Sequence, residues 1–468
     1  MPKIPQPLTI ILGKSIRNIA KMRGGGSALP GLFIEKINPS FVPSILKQIS
    51  HGVVVISGTN GKTTTTKMVV SLLESQGLRV FTNKTGSNLV RGIAAALLGE
   101  INLKGKLDAD IAVLELDEAH AVKFVEIFKP KYSLLLNVMR DQLDRFGEID
   151  TTAKLLERVA LNTTDSVVLN REDKRISAIK QKLPKTTNTQ FFGLNPSLLS
   201  HFPNDEELHG KNTVLKKAST KPNMRTEVGT IGTSGTSGAS IILNEFTNNT
   251  AEFIIDSHKH STPLKINGIY NIYNSAAALA LVKAILPNAS INSLLKSLST
   301  ITPAFGRGET VIVDGQPLEL VLVKNPAGFR LGLRSFSAQN YATMIAINDS
   351  HADGRDVSWL WDVDFTSLKD TSDTTLSSSS SSLPSSPLSS SPSPTSSIYV
   401  TGVRAYDMAL RLQYDEVPVE HIETSLKNAL TDFIAKHKNT PKRIYCTYTA
   451  MLALRKELAK ISVVEKIQ

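Results

Sequence analysis

The chain has 468 residues, 41% of them hydrophobic, enough for two or three globular domains with sizeable cores. Its formal net charge of +11 suits anionic partners such as nucleotides or phospholipid, although basic residues run along the chain and a solvated basic surface accounts for them equally well. The single cysteine, Cys446, excludes an internal disulfide and any Cys-cluster metal site, and it fits a reducing compartment.

Residues 1–49 read as a leader with two short helices. The first, 16–22, is basic and amphipathic and stops at Gly24-Gly25-Gly26 and Pro30; the second, 41–49, leads into a strand. The apolar patch 8–12 is too short for a signal sequence, and no stretch reaches the length of a membrane span. The expectation is a cytoplasmic protein, peripheral to the membrane at most.

Next comes the run Val53-Val54-Val55-Ile56, then Gly58-Thr59-Asn60-Gly61-Lys62-Thr63-Thr64, then a helical pattern through Met68, Val69, Leu72 and Leu73. Strand, Gly-rich turn, Lys-Thr and helix form the setting of a phosphate-binding loop. The glycines let backbone N–H groups turn around a phosphate, and the helix N-terminus adds partial positive charge. In this reading Gly58, Thr59, Asn60, Gly61 and Thr64 cradle the phosphates of ATP, Lys62 reaches the terminal ones, and the Thr63 hydroxyl binds Mg²⁺. The full Walker pattern wants glycine where this chain has Ile56, so the loop is a variant.

Strands at 80–82, 111–114, 132–137 and 166–169 alternate with helices at 88–98, 121–128 and 151–160. That alternation predicts an α/β fold with a parallel, doubly wound sheet whose ligands sit at the carboxyl ends of its strands. Glu115 emerges at such an end and is the expected catalytic carboxylate and second Mg²⁺ ligand. Asp117 and Glu118 follow it and equally suit a helix cap. Residues 193–241 are rich in Ser, Thr, Asn, Gly and Lys and read as a poorly ordered insert. A helix at 267–285 with Ala276, Ala277, Ala278 and Ala280 on one face closes this domain, and 294–298 is a further short helix. Strands at 311–313, 320–323, 344–347, 398–400 and 445–448, with helices at 405–412 and 450–459, make a C-terminal domain. Within it, 366–397 is an insert whose Ser/Pro-rich part, 377–397, is expected to be disordered.

Several stretches together resemble the Mur ligases. They are the loop 58–64, Leu114-Glu115-Leu116-Asp117-Glu118-Ala119, residues 137–148, and Gly268-Ile269-Tyr270-Asn271-Ile272-Tyr273-Asn274. Most Mur ligases have Asp-His where this chain has Asp141-Gln142-Leu143-Asp144. That departure, together with residues 352–362 and 401–412, resembles the MurT branch, the ligase subunit of lipid II isoglutaminyl synthase.

The resemblance implies a Mur-type central ATP-binding domain at 50–300 and a MurT-type, Rossmann-like C-terminal domain at 301–468. It implies Asn271 at the adenine and Arg307, in Phe305-Gly306-Arg307-Gly308-Glu309, near the phosphates; that turn also reads as a plain hinge. Lys324-Asn325-Pro326 stands where many Mur ligases have His-Asn-Pro. Many MurT chains carry a four-cysteine zinc ribbon where this chain has its 193–264 insert without cysteine, so no zinc is expected; His201, His209, His258 and His260 lack ligand spacing. Lys154 is nearest to the lysine that Mur ligases carbamylate, but its spacing fits poorly and a helix-surface lysine is the reading.

The implied reaction is ATP-dependent amidation of the D-glutamate α-carboxylate of the lipid II stem peptide, through an acyl phosphate. Ammonia comes from a glutaminase partner, GatD-like, in a heterodimer, and lipid II is met at the inner membrane surface; no nucleic acid is involved. The resemblance also implies that an Asp of the segment 348–364 completes the glutaminase site. Asp349 is favoured because it ends a strand, with Asp353 and Asp356 open, and Trp359 and Trp361 beside them suit an interface. The alternatives are another amide ligase of the superfamily, folylpolyglutamate- or cyanophycin-synthetase-like, and a nucleotide-regulated binding module, against which Lys62, Thr63 and Glu115 argue.

Overall fold

The computed structural model describes residues 6–22, 29–83, 89–139, 149–202, 241–247, 250–266, 268–302, 307–335, 341–369 and 398–464. Contacts divide the chain into one unit of Met1–Met139, Ile149–Leu264 and Ile272–Ile301, and another of Arg140–Glu148, Lys265–Asn271 and Thr302–Gln468.

The first unit is built on one sheet of β1 (Val53–Ser57), β2 (Val80–Thr82), β3 (Ile111–Glu115), β4 (Tyr132–Leu135), β5 (Ser166–Asn170), β6 (Asn188–Leu194), β7 (Ile241–Phe246), β8 (Thr250–Ile255) and β9 (His258–Pro263). Their spatial order is β2-β3-β1-β4-β5-β6-β7-β8-β9. The pairings from β2 to β7 are all parallel, and β7, β8 and β9 meander antiparallel. The expected doubly wound α/β sheet is therefore present. All residues of β1 and β3 are buried, which is why both read as unbroken apolar runs rather than alternating ones. From β1 the chain goes to β2 and β3 on one side, then to β4 on the other. The crevice at the carboxyl end of β1 is thus the switch point where such sheets bind ligands. The stretch expected to be an insert, 193–264, supplies β7, β8 and β9; residues 203–240 lie outside the described ones.

The leader differs from the expectation. Its first helix runs Gln6–Met22, ten residues longer at its start than the sequence pattern suggested, and two more follow, Leu29–Ile37 and Phe41–Leu46. Pro30 lies in the first turn of its helix, where a missing N–H costs nothing. Ile10, Ile34 and Phe41 are fully buried in the same core as β1 and the helix Val90–Glu100. Gly31 makes that packing possible, since a Cβ there would fall on the Arg91 carbonyl.

The second unit holds β10 (Arg307–Val313), β11 (Gln316–Leu322), β12 (Ala342–Ala346), β13 (Ile398–Thr401), β14 (Val419–Glu423) and β15 (Lys442–Cys446), in the order β10-β11-β15-β12-β13-β14. Among the described residues only the β10–β11 pair is antiparallel. Its turn, Asp314-Gly315, has positive φ at both residues, as a tight two-residue hairpin requires. The helices are Pro326–Ser335, Ala405–Tyr414, Leu426–Lys436 and Tyr448–Leu458. Residues 370–397, including the Ser/Pro-rich stretch, lie outside the described ones.

Candidate active site

The turn after β1 delivers residues 58–61 into the helix Lys62–Ser75. Gly58 and Gly61 have φ of +133° and +91°, a region that side-chain-bearing residues avoid. Space also requires glycine: a Cβ on Gly61 would lie 2.8 Å from Asn274 Oδ1, and one on Gly58 3.0 Å from the Asn137 nitrogen. Gly61 is the N-cap and has no side chain to cap the helix, and the first turn holds no acid. The positive end of a fourteen-residue helix there would suit an anion.

Lys62 is buried, and its ammonium donates to the carbonyls of Gly58 and of Thr59, 3.2 Å from the latter. Glu118 Oε1 lies 3.6 Å from it, and Glu118 is almost wholly buried. By sequence Glu118 is either a weaker Mg²⁺-ligand candidate than Glu115 or a helix cap; the structure turns it inward to Lys62, while Asp117 is the N-cap and makes no side-chain cap bond. Among the described residues, Glu118 Oε2 and the hydroxyl of Thr64, both buried, have no hydrogen-bond partner. Orphaned buried oxygens beside a phosphate loop are what a bound cation and its water would satisfy.

Thr63 and Glu115 come together as expected. The Thr63 hydroxyl donates to Glu115 Oε1 at 2.8 Å, so two hard oxygens meet at the tip of β3. Asn83, just beyond β2, fixes that tip: the Glu115 N–H donates to Asn83 Oδ1 (2.9 Å) and Asn83 Nδ2 donates to the Glu115 carbonyl (2.8 Å). Sequence reasoning missed Asn83. The available signal was a polar residue placed where a short strand beside β3 ends.

The far wall of the loop is the segment after β4. Asn137 brackets Asn60, accepting from its N–H at 2.9 Å and donating to its carbonyl at 3.0 Å. The Thr59 N–H donates to the Asn137 carbonyl, and the Thr59 hydroxyl accepts from the Met139 N–H. Asp173 secures this segment from behind, accepting from the N–H groups of Val138, Arg175 and Ile176. Burial pushes its carboxyl above the usual range despite those three donors. Residues 140–148, and with them Asp141-Gln142-Leu143-Asp144, lie outside the described residues.

Asn271 occupies the first turn of the helix Ile269–Ile285. Asn274, one turn on and buried, is the residue that packs against Gly61. Between them Tyr273 donates to Asn170 Oδ1 at 2.7 Å, and burial drives its phenol pKa well up. Lys154 is exposed on the helix Ile149–Leu161. Cys446 is buried, with its thiol pKa raised by burial, so it is no nucleophile.

In the second unit Arg307 begins β10, and its side chain is outside the described residues. The three candidate aspartates follow β12 but have different surroundings. Asp353 is buried: it accepts from the Thr449 N–H and hydroxyl and from the Ser350 N–H. Asp349 is half-buried and pairs with Arg404 at 2.7 and 2.8 Å, a contact that raises the Arg404 pKa. Asp356 is exposed, and its hydrogen bonds to Ser358 hold its carboxyl below the usual range. The tryptophans also part company. Trp359 is buried against Phe329, whereas Trp361 is 49% exposed and meets Tyr414 edge-on at 5.0 Å. Val403, Tyr406, Leu410 and Tyr414 continue that exposed apolar surface at helical spacing.

A Gly-rich loop at the switch point of a doubly wound sheet, with Lys62 and Thr63 opening the next helix and Glu115 and Glu118 beside them, is the arrangement of an α/β nucleotide-binding domain, and the family matches make it a ligase of the Mur type. The Mur ligase middle domain matches residues 56–282, and the MurT ligase C-terminal family matches 322–382 and 386–451. MurF from Acinetobacter baumannii superposes with a TM-score of 0.63 at 16% identity, over 92% of this chain and 80% of that one. MurF ligase from Thermotoga maritima, solved in complex with ADP, gives 0.56 at 15% identity, over 90% and 84%. Over 472 residues, 98% of each chain, this sequence is 30% identical to the MurT subunit of the glutamine-hydrolysing lipid II isoglutaminyl synthase of Streptococcus pneumoniae. The chain belongs to the MurT family of ligases.

Proposed function

We propose that this protein amidates the D-glutamate α-carboxylate of the lipid II stem peptide to D-isoglutamine, using ATP and the ammonia released by a glutaminase partner. The observation that carries this reading is the gathering of Lys62, Thr63, Glu115 and Glu118 around one helix N-terminus, in a chain of the MurT family. A carboxylate does not accept an amine until one of its oxygens becomes a leaving group. The γ-phosphoryl group of ATP is transferred to that oxygen and ADP leaves. The ammonia nitrogen then bonds to the carbonyl carbon, the carbon–oxygen bond to phosphate breaks, and phosphate departs.

The loop's N–H groups and Lys62 hold the polyphosphate and offset the charge that builds up during transfer. Thr63 and Glu115 would hold Mg²⁺, which when bound neutralises the phosphate oxygens. Asn83 keeps Glu115 aimed at Thr63. MurF of T. maritima, with ADP in its structure, supports nucleotide use by this fold.

The glutaminase docks, in this reading, on the exposed surface of Trp361, Tyr406 and Tyr414, since aromatic residues anchor protein interfaces. A glutaminase using Cys and His needs a third group to orient the His, and an aspartate of this chain supplies it. Asp353 is committed to Thr449 and Asp349 to Arg404, so exposed Asp356 is our assignment and Asp349 the second candidate.

The test is glutamine hydrolysis by the two mixed subunits with Asp349, Asp353 or Asp356 changed to Asn, alongside ligase activity fed free ammonium. Asp356→Asn should lose glutamine hydrolysis and keep the ammonium-fed reaction. Full glutamine hydrolysis by all three variants would refute the shared site.

A further inference from the structure

We propose that the outward faces of the first two helices form a docking surface for an anionic phospholipid bilayer, on which the chain lies without crossing it. The helix Gln6–Met22 turns Ile10 and Gly13 inward against Ile34 and Leu98. Its polar Thr9 is also inward, accepting from Asn38 Nδ2 at 3.4 Å. Outward it presents Leu8, Ile11, Leu12 and Ile19, aliphatic side chains at helical spacing on the face where a globular protein places polar ones. The neighbouring helix, Leu29–Ile37, adds exposed Leu29 and Phe33, one turn apart.

Charge selects the occupant. Residues 1–50 contain seven Lys or Arg and a single acidic residue, Glu35, in a chain whose whole excess is +11. The helix Gln6–Met22 has no acidic residue at all. Lys14 is turned to the Ile101 carbonyl and Arg17 to Gly99, while Lys36 is exposed one turn from Phe33; an aliphatic helix face within this basic segment suits the headgroup and acyl boundary of an anionic bilayer. Protein interfaces are instead depleted of lysine and enriched in Tyr and Trp, the character of the Trp361, Tyr406 and Tyr414 surface. Among the described residues no helix is long and apolar enough to cross a membrane, so the segment lies in the interface plane. At 1.5 Å per residue, seventeen residues give roughly 25 Å of helix for that contact.

The surface deepens the proposed function, because a lipid-linked substrate is met only at a membrane, and it rests on that reading for its purpose. Its test does not. The full chain is mixed with vesicles of phosphatidylglycerol and phosphatidylcholine, or of phosphatidylcholine alone, and the bound fraction is measured by flotation without substrate. Binding should require phosphatidylglycerol and weaken as salt screens it. The double variant Ile11→Ser, Ile19→Ser should bind about tenfold or more weakly. The exposed change Ile127→Ser, on another helix, should bind as the parent does. A circular dichroism spectrum like the parent's shows that the double variant is folded.

Amidation of a water-soluble, lipid-free stem peptide by the double variant should stay at the parental rate, while lipid-linked substrate in vesicles is used more slowly. Equal binding to neutral vesicles, no binding to either kind, or parental binding by the double variant each overturns the proposal. So does a self-association of the parent that the double variant abolishes while vesicles bind neither. Vesicle binding without amidation of either substrate would sink the proposed reaction and leave the surface standing.

Discussion

Gly61 meets two separable demands, and a double-mutant cycle with Asn274 measures both. In Gly61→Ala the backbone stays at φ +91°, which costs an L residue about 1–2 kcal/mol. The new Cβ also arrives 2.8 Å from Oδ1 and 3.0 Å from Nδ2 of Asn274, a buried side chain with little room to retreat. Overpacking of that kind costs about 1–3 kcal/mol more. In an Asn274→Ala background the second cost disappears and only the backbone strain remains. The cycle should therefore show a coupling of about 1–3 kcal/mol, the double variant being less destabilised than the two single changes added together. The assay is urea unfolding followed by circular dichroism. Tryptophan fluorescence will not serve, because both tryptophans, Trp359 and Trp361, belong to the second unit. If Gly61→Ala costs the same in both backgrounds to within about 0.5 kcal/mol, the close approach of Asn274 is not what demands glycine.

Lys62→Ala should reduce Mg²⁺-dependent ATP turnover by two decades or more, as measured by phosphate release with substrate and ammonium; parental rates would displace Lys62 from the site. Asp173→Ala should destabilise the protein by about 1–3 kcal/mol in denaturant titration, since it removes a helix cap and strands the Val138 N–H. Burial raises the Asp173 carboxyl, so the native state takes up its proton more readily than the unfolded chain does. That contribution to stability is fully present below the unfolded value of about 3.9, fades as pH rises through the folded value, and should be missing from Asp173→Asn. Metal analysis of the dialysed protein should find no stoichiometric zinc, in line with a sequence whose sole cysteine is Cys446.

The parallel sheet was legible because β1, β3, β4 and β5 are buried throughout and so appear as short apolar runs between amphipathic helices. The strand–turn–helix setting of residues 53–75 was legible from its glycines and Lys62-Thr63, and the position of Glu115 from the apolar run that it ends. Edge elements were not. β14 is only half-buried, with alternating side chains in water, and so is β9 at the other sheet's edge. The leader helix was misjudged at its start because residues 8–12 form an apolar patch without helical period, with Ile10 facing the core and Leu8, Ile11 and Leu12 facing outward. The contacts of Asn83 with Glu115 and of Glu118 with Lys62 depend on β2 lying beside β3 and on Glu118 turning inward, neither of which local sequence shows. The three aspartates after β12 look alike in sequence, and only their partners Arg404, Thr449 and Ser358 separate them.

The central claim is that the stem-peptide carboxylate is activated by phosphoryl transfer before ammonia attacks. Its most direct test is the fate of oxygen. A stem-peptide substrate with heavy oxygen in the D-glutamate α-carboxylate is incubated with this chain, ATP, Mg²⁺ and ammonium, and the released inorganic phosphate is examined by mass spectrometry. The mechanism predicts one heavy oxygen in the phosphate for every amide formed. Amide formed together with unlabelled phosphate would contradict it.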